Sequence, residues 1–326
     1  MRVRTLRHHS TLLRGNHFGD PADREVVVVE PTGWTGEPLP ALLGIAGFTG
    51  NHYGFLNRKW REENLVQRFE RLMSEGSPPA LLVLPDTMTR YGGSQFLDTP
   101  SFGPYASWIT TELLPWVGEQ YPVQGWGVFG KSSGGYGALS LAMNHPGVFG
   151  AIAAHAPDAG FEYGYTPDFP KAVEALRAAG GLTAWLADFH GRRGLKGPDH
   201  GILNLLAMSL CYSPDMTASP LPCRLPVDLE TGELVREVFD TWLPRDPARR
   251  VATHHAHLSN TAIWLDVGTR DEFRLQVGAR MVHRAMNEHG VQHHYEEHGG
   301  GHFRLNDRLD FSLPFLASAL RPATGA

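Results

Sequence analysis

Ser132 lies in the stretch "GWGVFGKSSGG", residues 125–135, and two chemistries fit it. Counted from Gly125, the pattern is G-x-x-x-x-G-K-[ST], a loop whose amides cradle phosphate and whose lysine, here Lys131, reaches it. Counted from Gly130, it is G-x-S-x-G, the strand–turn–helix elbow that exposes a nucleophilic serine. The residues between the glycines separate the two. Trp126, Gly127, Val128 and Phe129 suit a buried strand, whereas a phosphate loop needs a strand before its first glycine and small or polar residues after it. Gly125 is preceded by "GEQYPVQ", a poor strand, and the two serines lead into the helical run "GGYGALSLAMNH". The elbow is the preferred reading, and a nucleotide-binding loop at 125–132 is the alternative.

A nucleophilic serine needs a base, an acid that orients the base, and amides for the oxyanion. On a parallel sheet these come in the order Ser, Asp/Glu, His. Asp271 sits in "VGTRDEF", just past an expected strand over 261–267, with Glu272 and Asp266 as competitors. His302 comes after three glycines in "EEHGGGHFRL", which free the loop to project its imidazole, and His298 is the next choice. The amides of Ser133 and of Phe48, in the Gly-rich loop "GIAGFTGN" (44–51), are the expected oxyanion hole. Such a set attacks an acyl carbonyl and forms an acyl-enzyme, which water or an alcohol then resolves. It calls for no metal and no organic cofactor. The runs "HHAH" (254–257) and "HHYEEH" (293–298) lack the H-E-x-x-H order. Strand alternation would send His293 and His294 to opposite faces, so solvated polar faces explain these runs better. Among the aromatics, Phe161, Tyr163 and Tyr53 are candidates for substrate contact, while Trp60 and Trp185 are expected to fill cores.

The elements that must position these groups are legible as alternation. Apolar runs at 25–30, 39–47, 80–86, 125–130, 150–156 and 261–268 read as strands, several without a polar face, as in a parallel sheet covered on both sides, and the polar 291–298 reads as one from the resumed alternation with helices. Helical spacing marks 57–75, with Asn57 as N-cap, then 104–118, kinked or ended at Pro115, 272–289 and 304–320. Between 158 and 258 the strands stop. Helical patterns at 169–179, capped by Asp168, and at 182–189, 201–211 and 231–243 surround a Pro-rich link at 213–226. Residues 1–157 and 259–326 therefore form an α/β core, and 158–258 a helical insertion expected to act as a lid.

Composition bounds the partners. The 326 residues carry 29 Lys+Arg against 34 Asp+Glu, a net charge of −5, with no basic excess for nucleic acid and no polybasic segment for a membrane surface. The N-terminus lacks an apolar signal core and no run is long enough to span a bilayer, which together suggest a cytoplasmic protein. The two cysteines, Cys211 and Cys223, are compatible with a single disulfide but not with a disulfide framework. Oligomeric state is left open, a homo-oligomer included.

With these residues in place, the chain resembles the esterase branch of the α/β-hydrolases. That branch includes esterase D-like S-formylglutathione hydrolases, feruloyl esterases, siderophore esterases and mycolyltransferases. "GKSSGGYGAL" is similar to its G-x-S-x-G-G-x-x-A-L elbow, and residues 84–117 to the stretch leading into the helix before the nucleophile strand. "GTRDEF" and "GGGHF" resemble its acid and histidine segments, and "LLRGNHFGDP" (12–21) its opening strands. Lys131, Ser133 and Ala46 stand where relatives often have His, Met and His. The resemblance implies an α/β-hydrolase fold, with a mainly parallel central sheet, helices on both faces and a helical lid. It also implies a serine esterase acting on a small acyl ester, or an acyltransferase on the same fold.

Overall fold

The computed structural model describes residues 1–304 and 306–321. Among the described residues there are ten strands: β1 Arg2–His9, β2 Asp23–Glu30, β3 Leu39–Ile45, β4 Leu81–Pro85, β5 Asp98–Thr99, β6 Gly103–Pro104, β7 Val123–Lys131, β8 Phe149–His155, β9 Ala262–Gly268 and β10 His294–His298. Eight form one sheet in the order β1-β2-β4-β3-β7-β8-β9-β10. From β4 to β10 every pairing is parallel, while β2 pairs antiparallel with both β1 and β4. β5 and β6 make a separate two-stranded ribbon.

The apolar runs are explained by two-sided burial. Val26 and Val28 face one core and Val27 and Val29 the other, all fully buried, and the same split divides Ala41 and Leu43 from Leu42. Helices Leu65–Ser74 and Leu309–Ala319 pack together on one face. Helices Ser133–Asn144, Pro247–Leu258 and Leu275–Glu288 pack in a layer on the other.

Several expected elements move. β1 lies at Arg2–His9 rather than 12–21, which forms turns. "RVRTLRHH" has no apolar run because β1 is an edge strand, held by backbone pairing and by ion pairs such as Arg4–Glu30 at 2.6 Å. The first helix begins at Leu65, not near Asn57. Asn64 is its N-cap, and Asn64 and Gln67 exchange side-chain to backbone hydrogen bonds in a capping box. Trp60 consequently lies outside the helix and is 94% exposed, not core. Around Pro115 the chain runs through a π-helical segment, Trp108–Leu113, into helix Leu114–Gly118, so the proline begins a segment instead of ending one. The last helix is Leu309–Ala319, preceded by 3₁₀ turns; residue 305, inside the expected helix, and residues 322–326, inside the expected core, lie outside the described residues.

Within 158–258 the helices are Phe161–Gly164, Phe169–Ala178, Leu182–Gly191, Asp199–Tyr212, Arg236–Trp242 and Pro247–Leu258. The first and last were not legible in the sequence. Pro247–Leu258 packs on the helices at 133–144 and 275–288, and Arg250 donates to Ser140 Oγ at 3.1 Å. That helix is therefore part of the core layer. Asp168 gives the helix at 169 no capping bond; its carboxylate pairs instead with Arg274 at 2.7 Å and Lys171 at 3.1 Å. Cys211 and Cys223 are buried free thiols, not a disulfide. Among the described residues no helix is long and apolar enough to cross a membrane.

Candidate active site

In this sheet β3 is flanked by β4 on one side and β7 on the other, so the loops after β3 and β7 diverge and leave a crevice at the carboxyl ends of the strands. Phe48 comes after β3 and Ser132 after β7, and both line one cavity of about 590 Å³. β7 ends at Lys131 and the next helix starts at Ser133, so Ser132 alone makes the turn. It does so at φ 60°, ψ −124°, a conformation that costs an L-residue on the order of 1–3 kcal/mol. Two glycines make the turn sterically possible. A Cβ on Gly130 would lie 2.5 Å from the Gly134 carbonyl carbon, and one on Gly134 2.4 Å from Ile45 O.

The phosphate-loop reading of 125–132 fails on the same geometry. Gly125 to Lys131 are strand residues, paired with β3 as far as Gly130 on one side and, from Trp126 to Lys131, with β8 on the other. Their backbone serves the ladder and cannot wrap an anion. Lys131 Nζ donates to His302 O at 3.2 Å and stands 5.9 Å from the Phe303 ring centre. Burial lowers the pKa of this ammonium, Lys59 lowers it further, and Asp271 and Glu272 oppose the shift.

The acid and the histidine meet. Asp271 Oδ2 accepts from His302 Nδ1 at 2.8 Å, and both residues are buried. Asp271 Oδ1 accepts from the amides of Phe273 at 2.9 Å and Leu275 at 3.3 Å, so the turn into helix Leu275–Glu288 fixes the carboxylate. The imidazole is flanked edge-on by Phe273 and Phe303, at 4.9 and 5.7 Å between ring centres. The competitors have other work. Glu272 Oε2 accepts from the backbone N–H of His302 at 2.5 Å, gripping the loop and not the ring. Asp266 is fully buried between His155 at 2.7 Å, Trp264 Nε1 at 2.8 Å and Arg308 at 3.0 Å. His298 Nδ1 accepts from the Gly300 amide at 3.2 Å, within its own loop.

Ser133, Phe48, Ser132 and His302 all face the cavity. Among the described residues the amides of Phe48 and Ser133 donate to no protein acceptor, which leaves both available to an oxyanion. Ser132 Oγ donates to Asp158 Oδ1 at 3.3 Å, and among the described residues it has no other side-chain partner. Sequence reasoning passed over Asp158, although the rule that selected Asp271, an acid just past a parallel strand, selects it too. The roof comes from the insertion, through Tyr165, Asp168, Phe169, His200, Asn204 and Leu205. Burial lowers the His200 pKa, with His302 adding and Asp168 opposing.

The aromatic candidates do not line this cavity. Phe161 is wholly buried against Tyr136, Tyr165 and Tyr212, because the short helix it opens turns inward. Tyr163 is half exposed, and it is its carbonyl that meets Arg274, at 3.1 Å. Tyr53 donates to Glu25 at 2.5 Å in a separate polar crevice with His52 and Asp86. Trp185, as expected, is buried, stacked on Phe189 at 4.8 Å. In the histidine runs, His293 bonds His283 at 2.7 Å while His294 stacks on Trp264 at 3.8 Å, so the two have different partners.

Residues 21–311 match the family described as putative esterase. The chain belongs to that family. Among curated relatives, S-formylglutathione hydrolase of Mus musculus is 26% identical over 155 residues, 41% of this chain and 51% of that protein. The same enzyme of Bos taurus is 43% identical over 53 residues, 16% of this chain and 19% of that protein. The chain thus spans about half or less of the length of these relatives. Among solved structures, an S-formylglutathione hydrolase from Agrobacterium tumefaciens superposes with TM-score 0.59 at 18% identity, covering 98% of this chain and 95% of that one. A ferulic acid esterase does so with TM-score 0.59 at 20% identity, covering 98% of both chains. A fluorophosphonate-binding serine hydrolase of Staphylococcus aureus gives 0.58 at 12%, over 98% and 99%. At these identities the structures share the fold, an α/β-hydrolase.

Proposed function

We propose that the protein hydrolyses a small-molecule carboxylic ester, with Ser132 as nucleophile, His302 as general base and acid, and Asp271 as the orienting carboxylate. One observation carries the reading: the 2.8 Å His302–Asp271 pair opens into the same cavity as a serine held at φ 60°. Rotation of the Ser132 hydroxyl from Asp158 toward His302 precedes attack. Oγ then bonds the acyl carbon as its proton passes to the imidazole, and Asp271 stabilises the imidazolium without taking the proton. The amides of Phe48 and Ser133 stabilise the oxyanion, each donor by about 3 kcal/mol. Collapse breaks the bond to the leaving alkoxide, which takes the proton from His302. Water repeats the sequence on the acyl-enzyme and frees the acid. Membership of the esterase family supports the reaction class.

The test is labelling with a fluorophosphonate probe, with peptide mapping, alongside p-nitrophenyl butyrate turnover by wild type and Ser132→Ala. Label on Ser132 and a loss of about 10⁶-fold in kcat, to background, are expected. Turnover surviving in the folded variant sinks the assignment. Added alcohol that diverts the acyl group into a new ester would make transfer the reaction, at the same residues.

A further inference from the structure

Resting on the esterase reading, two carboxylates of the cavity remain unused by the chemistry, Asp168, which pairs with Lys171 and Arg274, and Asp158, which has no such partner among the described residues. Asp158 is 5% exposed and lines the cavity beside Ser132. Its Oδ2 accepts from Ser133 Oγ at 2.6 Å, Tyr165 OH at 3.0 Å and Gln95 Nε2 at 3.2 Å. Its Oδ1 has the Ser132 hydroxyl at 3.3 Å. All four donors are neutral, and among the described residues no cation pairs with this carboxylate. The two lysines of the cavity are engaged elsewhere, Lys131 on His302 O and Lys171 on Asp168. A buried carboxylate is ordinarily matched by a countercharge.

The acceptor excess extends behind it. Gln95 is 1% exposed and sits at φ 51°, with Nε2 also donating to Tyr212 OH at 2.9 Å. Its Oε1 is buried without a hydrogen-bond partner. Acylation then sharpens the mismatch. Once Oγ carries the acyl group its proton is gone, so Asp158 Oδ1 loses its donor as the substrate arrives one bond away. The same negative charge stands next to a developing oxyanion, which it repels. A cation carried by the acyl group relieves both: it supplies donors to Oδ1 and neutralises the charge.

We infer that Asp158, backed by Gln95 and Tyr165, is a specificity-determining acidic subsite for an acyl group bearing an ammonium one or two carbons from the ester carbonyl. An –NH₃⁺ brings three donors to a cluster with spare acceptors. A plain alkyl chain leaves the carboxylate bare, and a hydroxyl supplies a donor without the charge.

The experiment compares kcat/KM of the full chain on p-nitrophenyl esters of butyrate, 3-hydroxybutyrate and 3-aminobutyrate, at a pH that keeps the amine protonated. The amino ester is expected to lead butyrate by about tenfold or more, as for a charge-assisted hydrogen bond, with the hydroxy ester between. In Asp158→Asn the amino-to-butyrate ratio should fall to about one; Tyr165→Phe, which keeps the carboxylate, should retain the preference. Butyrate equal to or better than the amino ester in wild type overturns the subsite, whether or not the variants fold. So does a hydroxy ester that matches the amino ester, or a preference that survives Asp158→Asn. Fluorophosphonate labelling of Ser132 on the same sample separates this failure from that of the hydrolase reading, since loss of labelling would overturn both.

Discussion

At the scale of single residues, two neighbouring acids at one strand end hold one histidine by different parts. Asp271 holds the imidazole of His302 and Glu272 holds its backbone amide. Their replacements should therefore differ in kind. Asp271→Asn presents the wrong partner to Nδ1 and should lower kcat about 10⁴-fold with the fold intact. Glu272→Gln keeps an acceptor for the amide and should cost far less, so equal losses would count against the assignment. Steady-state kinetics with a circular dichroism control decides it. The chain order Ser132, Asp271, His302 was legible because each comes just after a strand, and the flanking glycines mark the turn at Ser132. Asp271 could be chosen over Glu272 only as a position, since nothing in "RDEF" says which carboxylate meets the ring and which the backbone. Asp158 also fits the order Ser, Asp, His, and was overlooked because only acids at or past the strand over 261–267 were weighed. The aromatic candidates misled because Phe161 and Tyr163 are two residues apart on a short helix, while the cavity takes Tyr165 and Phe169 from the next turns.

At the scale of elements, the buried cluster around Asp266 ties β8, β9, β10 and the last helix together. His155 joins Asp266 to Ser312 at 3.0 Å, and Arg308 joins it to Glu296. Burial alone would raise the Asp266 pKa, but His155, Trp264 and Arg308 together hold it well below 3.8. A carboxylate with a depressed folded pKa contributes fully above its unfolded value, and that contribution is lost as pH falls from there through the lower folded value. Asp266→Asn should therefore destabilise by about 3–5 kcal/mol near pH 7, because His155 and Arg308 lose their anion. The difference should hold down to about pH 4 and shrink only below it, as urea titrations taken between about pH 4 and pH 2 would show. A penalty independent of pH would deny that the charge matters. β8 and β9 were readable from their apolar runs, and β10, "HYEEH", only from its place in the alternation. The network was not, because an acid ending a strand looks the same whether it faces a cavity or a core. β1 was unreadable for the opposite reason: an edge strand is held by backbone bonds and charged neighbours, so it carries no apolar signature.

At the scale of the whole molecule, the roof over the crevice at β3 and β7 is drawn from residues 164–205 and not from all of 158–258, whose last helix lies in the core layer. Helix Asp199–Tyr212 gives Asn204 and Leu205 to the cavity and Cys211 to the interior. Burial raises the pKa of both thiols, that of Cys223 to about 12, so neither reacts readily while the roof is shut. The buried thiols therefore report any motion of that helix. Added disulfide reagent can modify Cys211 only during an opening. A modification rate that holds flat as urea rises, then climbs only near the unfolding transition, would mean that the roof lifts on its own while the sheet stays folded. A rate that rises with urea from the outset would mean that roof and core open as one body, and that substrate must thread a fixed mouth.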